Sequence, residues 1–166
     1  MKKIFLSIFL TFAMGAEAFA ADSTYYVVRH AEKQATDLSG GDNPVLTEKG
    51  VKRAAHIVTL LKDVPIDAVY STETYRTVMT ATPTAADRGL VVKLFTTDDL
   101  AGFADMLKAM RGTYLIVAHS SSTPDLASLL SGENLPKLDE SDYEQMFKIE
   151  ITDGVATLTQ FQTTFE

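Results

Sequence analysis

Short apolar runs rich in β-branched and aromatic residues alternate along this chain with segments whose apolar residues recur at helical spacing. That alternation restricts the fold more than any other feature. Residues 24–28, Thr24-Tyr25-Tyr26-Val27-Val28, read as a strand buried on both faces. From Thr47, placed as an N-cap, Val51, Ala54, Ala55, Val58 and Leu61 repeat with helical period. A second strand is expected over residues 67–70, and Ser71 or Thr72 then opens a helix carrying Arg76, Val78 and Met79, which Pro83 is expected to end or kink. Residues 90–95 give a third strand. Thr97 or Asp98 opens a helix with Leu100, Phe103, Ala104 and Leu107 on one face, residues 113–118 form a fourth strand, and a short helix covers residues 124–130. Residues 146–152 and 155–161 flank Asp153-Gly154 as an antiparallel hairpin. This order predicts a single α/β domain: a mostly parallel, mixed sheet with helices on both faces and a C-terminal antiparallel hairpin.

The first twenty residues fall outside that pattern. Met1-Lys2-Lys3 is basic, residues 4–15 are apolar and Ala18-Phe19-Ala20 is an A-x-A cleavage pattern, so residues 1–20 read as a secretory signal peptide and residues 21–166 as the domain. An uncleaved anchor would need about 20 apolar residues, and Glu17 interrupts this run, so no stable membrane anchor is expected. Losing two lysines and one glutamate with the leader shifts the net charge from −7 to −8. Such an acidic chain is a poor ligand for nucleic acid or an anionic membrane. It has no cysteine, which removes disulfides and thiol chemistry. A periplasmic or secreted protein stabilised by its core is the expectation, while the oligomeric state has no signature in the sequence.

In sheets of this kind ligands bind beyond the carboxyl ends of the strands. Just past them stand Arg29-His30, Ser71 and His119-Ser120, so two of the three histidines fall at one edge. The third, His56, shares the polar side of the first helix with Lys52, Thr59 and Asp63 and reads as solvated. Arg76, one turn into the second helix, can converge on the same edge, with Glu73 and Asp87 as rival salt-bridge partners. Two guanidinium groups and two imidazoles suit a tetrahedral dianion, because arginine offers paired donors and neutral imidazole a nucleophilic nitrogen. Phosphate is the obvious guest.

The motifs Val28-Arg29-His30-Ala31-Glu32-Lys33, Leu46-Thr47-Glu48-Lys49-Gly50 with Arg53-Ala54, Val69-Tyr70-Ser71-Thr72 through Arg76-Thr77 and Thr80-Ala81, and Val117-Ala118-His119-Ser120 resemble, in order, those of the histidine phosphatase superfamily. The resemblance implies a phosphatase that needs no metal or other cofactor and acts on a small phosphorylated substrate or a phosphoprotein. It makes His30 the nucleophile that is phosphorylated, with Arg29, Arg76 and His119 holding the phosphoryl group. For the general acid it points to the loop after the third strand, to Asp99 ahead of Asp98, with Glu32 a further candidate. Departures are Ala31 and Ala118 where glycine is usual, and Ser121-Ser122 in place of Asn-Thr. The short connection between Leu94 and Met110 leaves no room for a large cap, which favours an open site and hydrolysis over mutase chemistry. A zinc site of His30, Glu32 and His119 lacks closely spaced ligands, and Ser120 lacks a Gly-x-Ser-x-Gly elbow. A non-catalytic phosphate-binding module on the same fold is the alternative.

Overall fold

The computed structural model describes residues 22–36 and 41–165; the expected signal peptide lies outside them. The elements are β1 (Ser23–Arg29), α1 (Glu48–Leu60), β2 (Ala68–Ser71), α2 (Tyr75–Asp87), β3 (Val92–Leu94), α3 (Leu100–Ala109), β4 (Gly112–Ala118), α4 (Ser122–Ser131), β5 (Gln145–Thr152) and β6 (Val155–Gln162). One sheet runs β3-β2-β4-β1-β5-β6. The pairs β2–β3, β2–β4 and β1–β4 are parallel, whereas β1–β5 and β5–β6 are antiparallel. The mixed α/β domain read from the sequence is therefore the fold.

The alternation of side chains along β1 explains the two layers of helices. Tyr25 and Val27 point into a core with Tyr70, Ile116 and residues of α3 and α4, including Phe103, Leu107 and Leu126. Tyr26 and Val28 point the other way, into a core with Val69, Val117 and the α1 and α2 residues Ile57, Leu61, Ala81 and Ala85. A strand packed on both faces must be apolar throughout, as residues 24–28 are. The hairpin turns at Asp153 and Gly154, both with positive φ (51° and 77°), as a two-residue loop matching the strand twist requires.

Several local expectations change. On α1, Gly50, Arg53, Ala54 and Ile57 are buried while Val51 is 51% exposed, because the helix leans on the segment after β1. A Cβ at Gly50 would collide with the Glu32 carbonyl oxygen. Helix α2 opens at Thr74, not at Ser71 or Thr72; the Thr74 hydroxyl bonds Thr77 Oγ1 and caps no backbone N–H, and the Tyr75 N–H donates instead to Asn43 Oδ1 at 2.8 Å, a partner distant in sequence. Pro83 sits inside α2, since burial of Thr80, Ala81, Thr84 and Ala85 holds the helix across the missing N–H. Asp99, not Thr97 or Asp98, caps α3, accepting from the Gly102 N–H at 2.9 Å. His56 is half-buried rather than solvated, its ring 5.6 Å from that of Phe165. Among the described residues no helix is long and apolar enough to cross a membrane.

Candidate active site

Strands β1 and β4 end in register, Arg29 opposite Ala118, so His30 and His119 leave the sheet side by side. The His30 N–H donates to the Ala118 carbonyl at 2.9 Å, and the two rings meet edge to face at 5.5 Å. His30 is 3% exposed. Its Nδ1–H donates to the Ala31 carbonyl at 2.8 Å, which fixes the tautomer and leaves the Nε2 lone pair free. The loop behind it is pinned in turn: the Ala31 N–H donates to Thr80 Oγ1 at 2.9 Å, and that hydroxyl donates to the Arg76 carbonyl at 2.7 Å.

His119 is held by a chain of hydroxyls. Its Nε2 meets Thr72 Oγ1 at 3.0 Å; Thr72 donates to Thr77 Oγ1 at 2.9 Å, and Thr77 donates on to the Thr72 carbonyl at 2.9 Å. With the Thr72 proton committed to Thr77, His119 donates from Nε2, and Nδ1 faces Arg76 Nη2 at 3.5 Å. The Arg76 Nη1 reaches the Asp42 carbonyl at 3.4 Å; neither Glu73 nor Asp87 pairs with Arg76, and Asp87 binds Arg88 instead. Arg29, 1% exposed, donates from Nη1 to the carbonyls of Asp139, Glu140 and Asp142 at 2.9, 3.0 and 2.8 Å. Its Nη2 meets the Glu140 carboxylate at 2.9 Å, and its guanidinium lies 4.2 Å over the Tyr143 ring. The other Glu140 oxygen accepts from Ser120 Oγ at 2.7 Å. The Nε–H groups of Arg29 and Arg76 are buried and have no protein acceptor.

Burial pushes the His30 imidazole down to about 3, with Arg29, Arg76 and His119 adding to the effect against the Ala31 carbonyl. Burial, then Arg76 and Arg29, take His119 down to about 4. Both rings are thus neutral at pH 7, and burial does more of this than the arginines. An unfolded histidine takes up its proton near pH 6.5, so between about 6.5 and 3 the unfolded chain binds a proton that folded His30 refuses, and stability falls as pH falls. Thermal unfolding at pH 7, 6 and 5 should therefore show His30→Asn losing less stability than the parent, by about 1 kcal/mol per pH unit. Parallel curves would contradict the assignment.

Beside His119 opens a cavity of about 220 Å³ lined by Thr72, Glu73, Thr74, Phe95, Thr96, Thr97 and Asp98. Of the acid candidates only Asp98 lines it. Asp99 spends its carboxylate on the α3 cap, and Glu32 accepts from Arg53 Nε and Nη2 at 2.9 and 2.7 Å. Ser71 is buried, its hydroxyl donating to the Thr72 carbonyl at 2.7 Å, away from either imidazole. Thr72 and Thr80 stand in the second motif without a role assigned from the sequence, and Glu140 and Tyr143 escaped the sequence reading. For Thr72 a position next to a strand end was the available signal; for Glu140 and Tyr143, more than 100 residues from Arg29, there was none. Among the described residues no group of three or more His, Asp or Glu side chains is arranged to hold a metal ion, and Glu32 is engaged apart from the two histidines.

Residues 25–103 match the model of the histidine phosphatase superfamily (branch 1), a span that holds Arg29, His30 and Arg76 and stops before His119. The fold is similar to that of the protein histidine phosphatase SixA complexed with tungstate, at 18% identity over 84% of this chain and 97% of that one, TM-score 0.70. It is also similar to phosphoserine phosphatase from Entamoeba histolytica in complex with 3-phosphoglyceric acid, at 17% identity over 86% and 98%, TM-score 0.63. The alpha-ribazole phosphatase from Shigella flexneri aligns at 22% identity over 84% and 96%, TM-score 0.62. No curated protein matches the chain.

Proposed function

Because this chain belongs to the histidine phosphatase superfamily, we propose that it is an exported phosphatase that hydrolyses a small phosphomonoester or a phosphoprotein through a phosphohistidine on His30, without a metal. One observation carries this reading. A neutral, oriented imidazole with a free Nε2 stands within electrostatic reach of two buried guanidinium N–H groups that lack any acceptor. A phosphoryl dianion supplies both the electrophile and the missing acceptors. The tungstate held by the SixA relative is a tetrahedral oxyanion of the same kind.

In this reading His30 Nε2 attacks phosphorus while the bond to the leaving oxygen breaks. Arg29 and Arg76 stabilise the charge that spreads over the phosphoryl oxygens, and His119 joins them by turning its Nε2–H from Thr72 to one of those oxygens. Glu140 yields Arg29 Nη2 to the incoming oxyanion. Asp98, the one of the three acid candidates that lines the cavity, hands its proton to the leaving oxygen. Water then attacks phosphorus, Asp98 takes a proton from it, the P–N bond breaks and phosphate departs.

Release of p-nitrophenol from p-nitrophenyl phosphate, inhibited competitively by orthophosphate, tests the reading. Orthophosphate binding without turnover would instead assign a phosphate receptor. Asp98→Asn is expected to lower kcat on an alkyl phosphate by about 10²-fold while sparing the aryl phosphate, whose leaving group needs little protonation. Asp99→Ala should chiefly reduce stability, by about 1 kcal/mol through loss of the α3 cap. The reverse pattern would return the acid to Asp99.

A further inference from the structure

The charge of the cavity beside His119 specifies what leaves. In-line attack by His30 sends the departing group to the far side of phosphorus, and the cavity borders His119 without touching His30. Its lining carries two acidic side chains, Glu73 and Asp98, four threonines, one aromatic edge from Phe95, and no lysine or arginine. Arg76, which reaches the lining residue His119, is turned to that ring and the Asp42 carbonyl. Lys93 lies over the Tyr70 ring at 5.6 Å and is not part of the lining. The phosphoryl position at this same sheet edge is marked by the buried Arg29 Nε–H, which finds no acceptor. At about 220 Å³ the space is below the roughly 300–1,000 Å³ of sites for drug-sized molecules, so the leaving group is small.

We propose that the substrate is a small amine-bearing phosphomonoester, an aminoalkyl or amino-sugar phosphate whose ammonium group sits between Glu73 and Asp98 while its hydroxyls meet the threonines. The inference rests on the phosphatase reading. With Asp98 assigned to the leaving oxygen, Glu73 is the acidic side chain left to face the amine. A leaving group bearing its own carboxylate would set that charge against Glu73 and Asp98 with no cation to offset it. The reaction is hydrolysis: the O–P bond breaks, and amino alcohol and phosphate are released.

The test compares kcat/KM for three matched substrates, O-phosphoethanolamine, ethyl phosphate and 2-phosphoglycolate, with p-nitrophenyl phosphate as a reporter of the chemistry. Phosphoethanolamine is expected to exceed phosphoglycolate by about tenfold, with ethyl phosphate between them, and the gap should narrow in high salt. Glu73→Gln should shrink the ratio and Glu73→Lys should level or invert it. If the aryl phosphate is hydrolysed and phosphoglycolate is turned over as fast as phosphoethanolamine, the substrate class is wrong and the phosphatase reading stands. If no phosphate ester is hydrolysed, both fall together.

Discussion

Replacing His30 with alanine is expected to lower p-nitrophenyl phosphate hydrolysis by about 10⁴-fold or more, the scale seen when a covalent nucleophile is removed. The aryl leaving group departs without a proton, so the assay isolates the nucleophile from the acid. No neighbour is placed to substitute. His119 has Nε2 committed to Thr72 and Nδ1 turned to Arg76. Ser71 is buried against its own strand end, and Ser120 holds Glu140. The variant should remain folded, because the side chain that leaves is a neutral ring at the sheet edge whose side-chain hydrogen bond is to the Ala31 carbonyl. Residual activity within tenfold of the parent, with the fold verified by thermal unfolding, would move the nucleophile elsewhere, and a labelled phosphoryl group trapped during turnover would then locate it. Orthophosphate should still bind the variant, since Arg29, Arg76 and His119 are untouched; a loss of binding as well would mean that His30 holds the anion rather than attacking it.

What the sequence disclosed and what it hid divide along a physical line. The strands of the parallel core were legible because a strand covered on both faces must be apolar at every position, as Tyr25 to Val28 are. The placing of His30 and His119 followed from topology alone, since parallel strands in register deliver their carboxyl ends to one edge. Helix boundaries were less legible where a distant residue decided them. Tyr75 is capped by Asn43, and Pro83 is tolerated because tertiary burial outweighs the local rule. The choice between Asp98 and Asp99 turned on which carboxylate the first turn of α3 consumes, a matter of one residue that spacing does not resolve. Arg29 looked like a ligand for substrate alone. In the fold it also organises the loop carrying Glu140 and Tyr143, more than 100 residues away, through carbonyls that no side-chain pattern encodes.

Arg53 is the residue whose removal should cost the fold most. Its side chain is 1% exposed, and its guanidinium joins three separate parts of the chain. It donates to both oxygens of Glu32 in the segment after β1, to Glu144 Oε1 at 3.2 Å before β5, and to the carbonyl and hydroxyl of Thr163 at 2.8 and 3.1 Å after β6. The Phe165 ring lies 4.9 Å from it. Arg53→Met retains the volume and strands two carboxylates, Glu32 at 13% exposure and Glu144 at 40%. Removing one partner of a buried pair costs about 3 kcal/mol, equivalent to a fall in Tm of about 10 °C for a domain of this size. Arg53→Lys should fall between, because an ammonium keeps the charge but cannot make the paired bonds. The deficit should also depend on pH. Burial pushes the Glu32 carboxyl upward, but the Arg53 hydrogen bonds and charge outweigh it and hold the group below its ordinary 4.5. The pair's contribution is therefore present above about pH 4.5 and is lost as pH falls through the lower folded value, so parent and Arg53→Met should converge in acid. A Tm within 2 °C of the parent at pH 7, or a deficit that persists unchanged at pH 3, would show that packing rather than this ion pair ties the segment after His30 to α1 and the C-terminal strand.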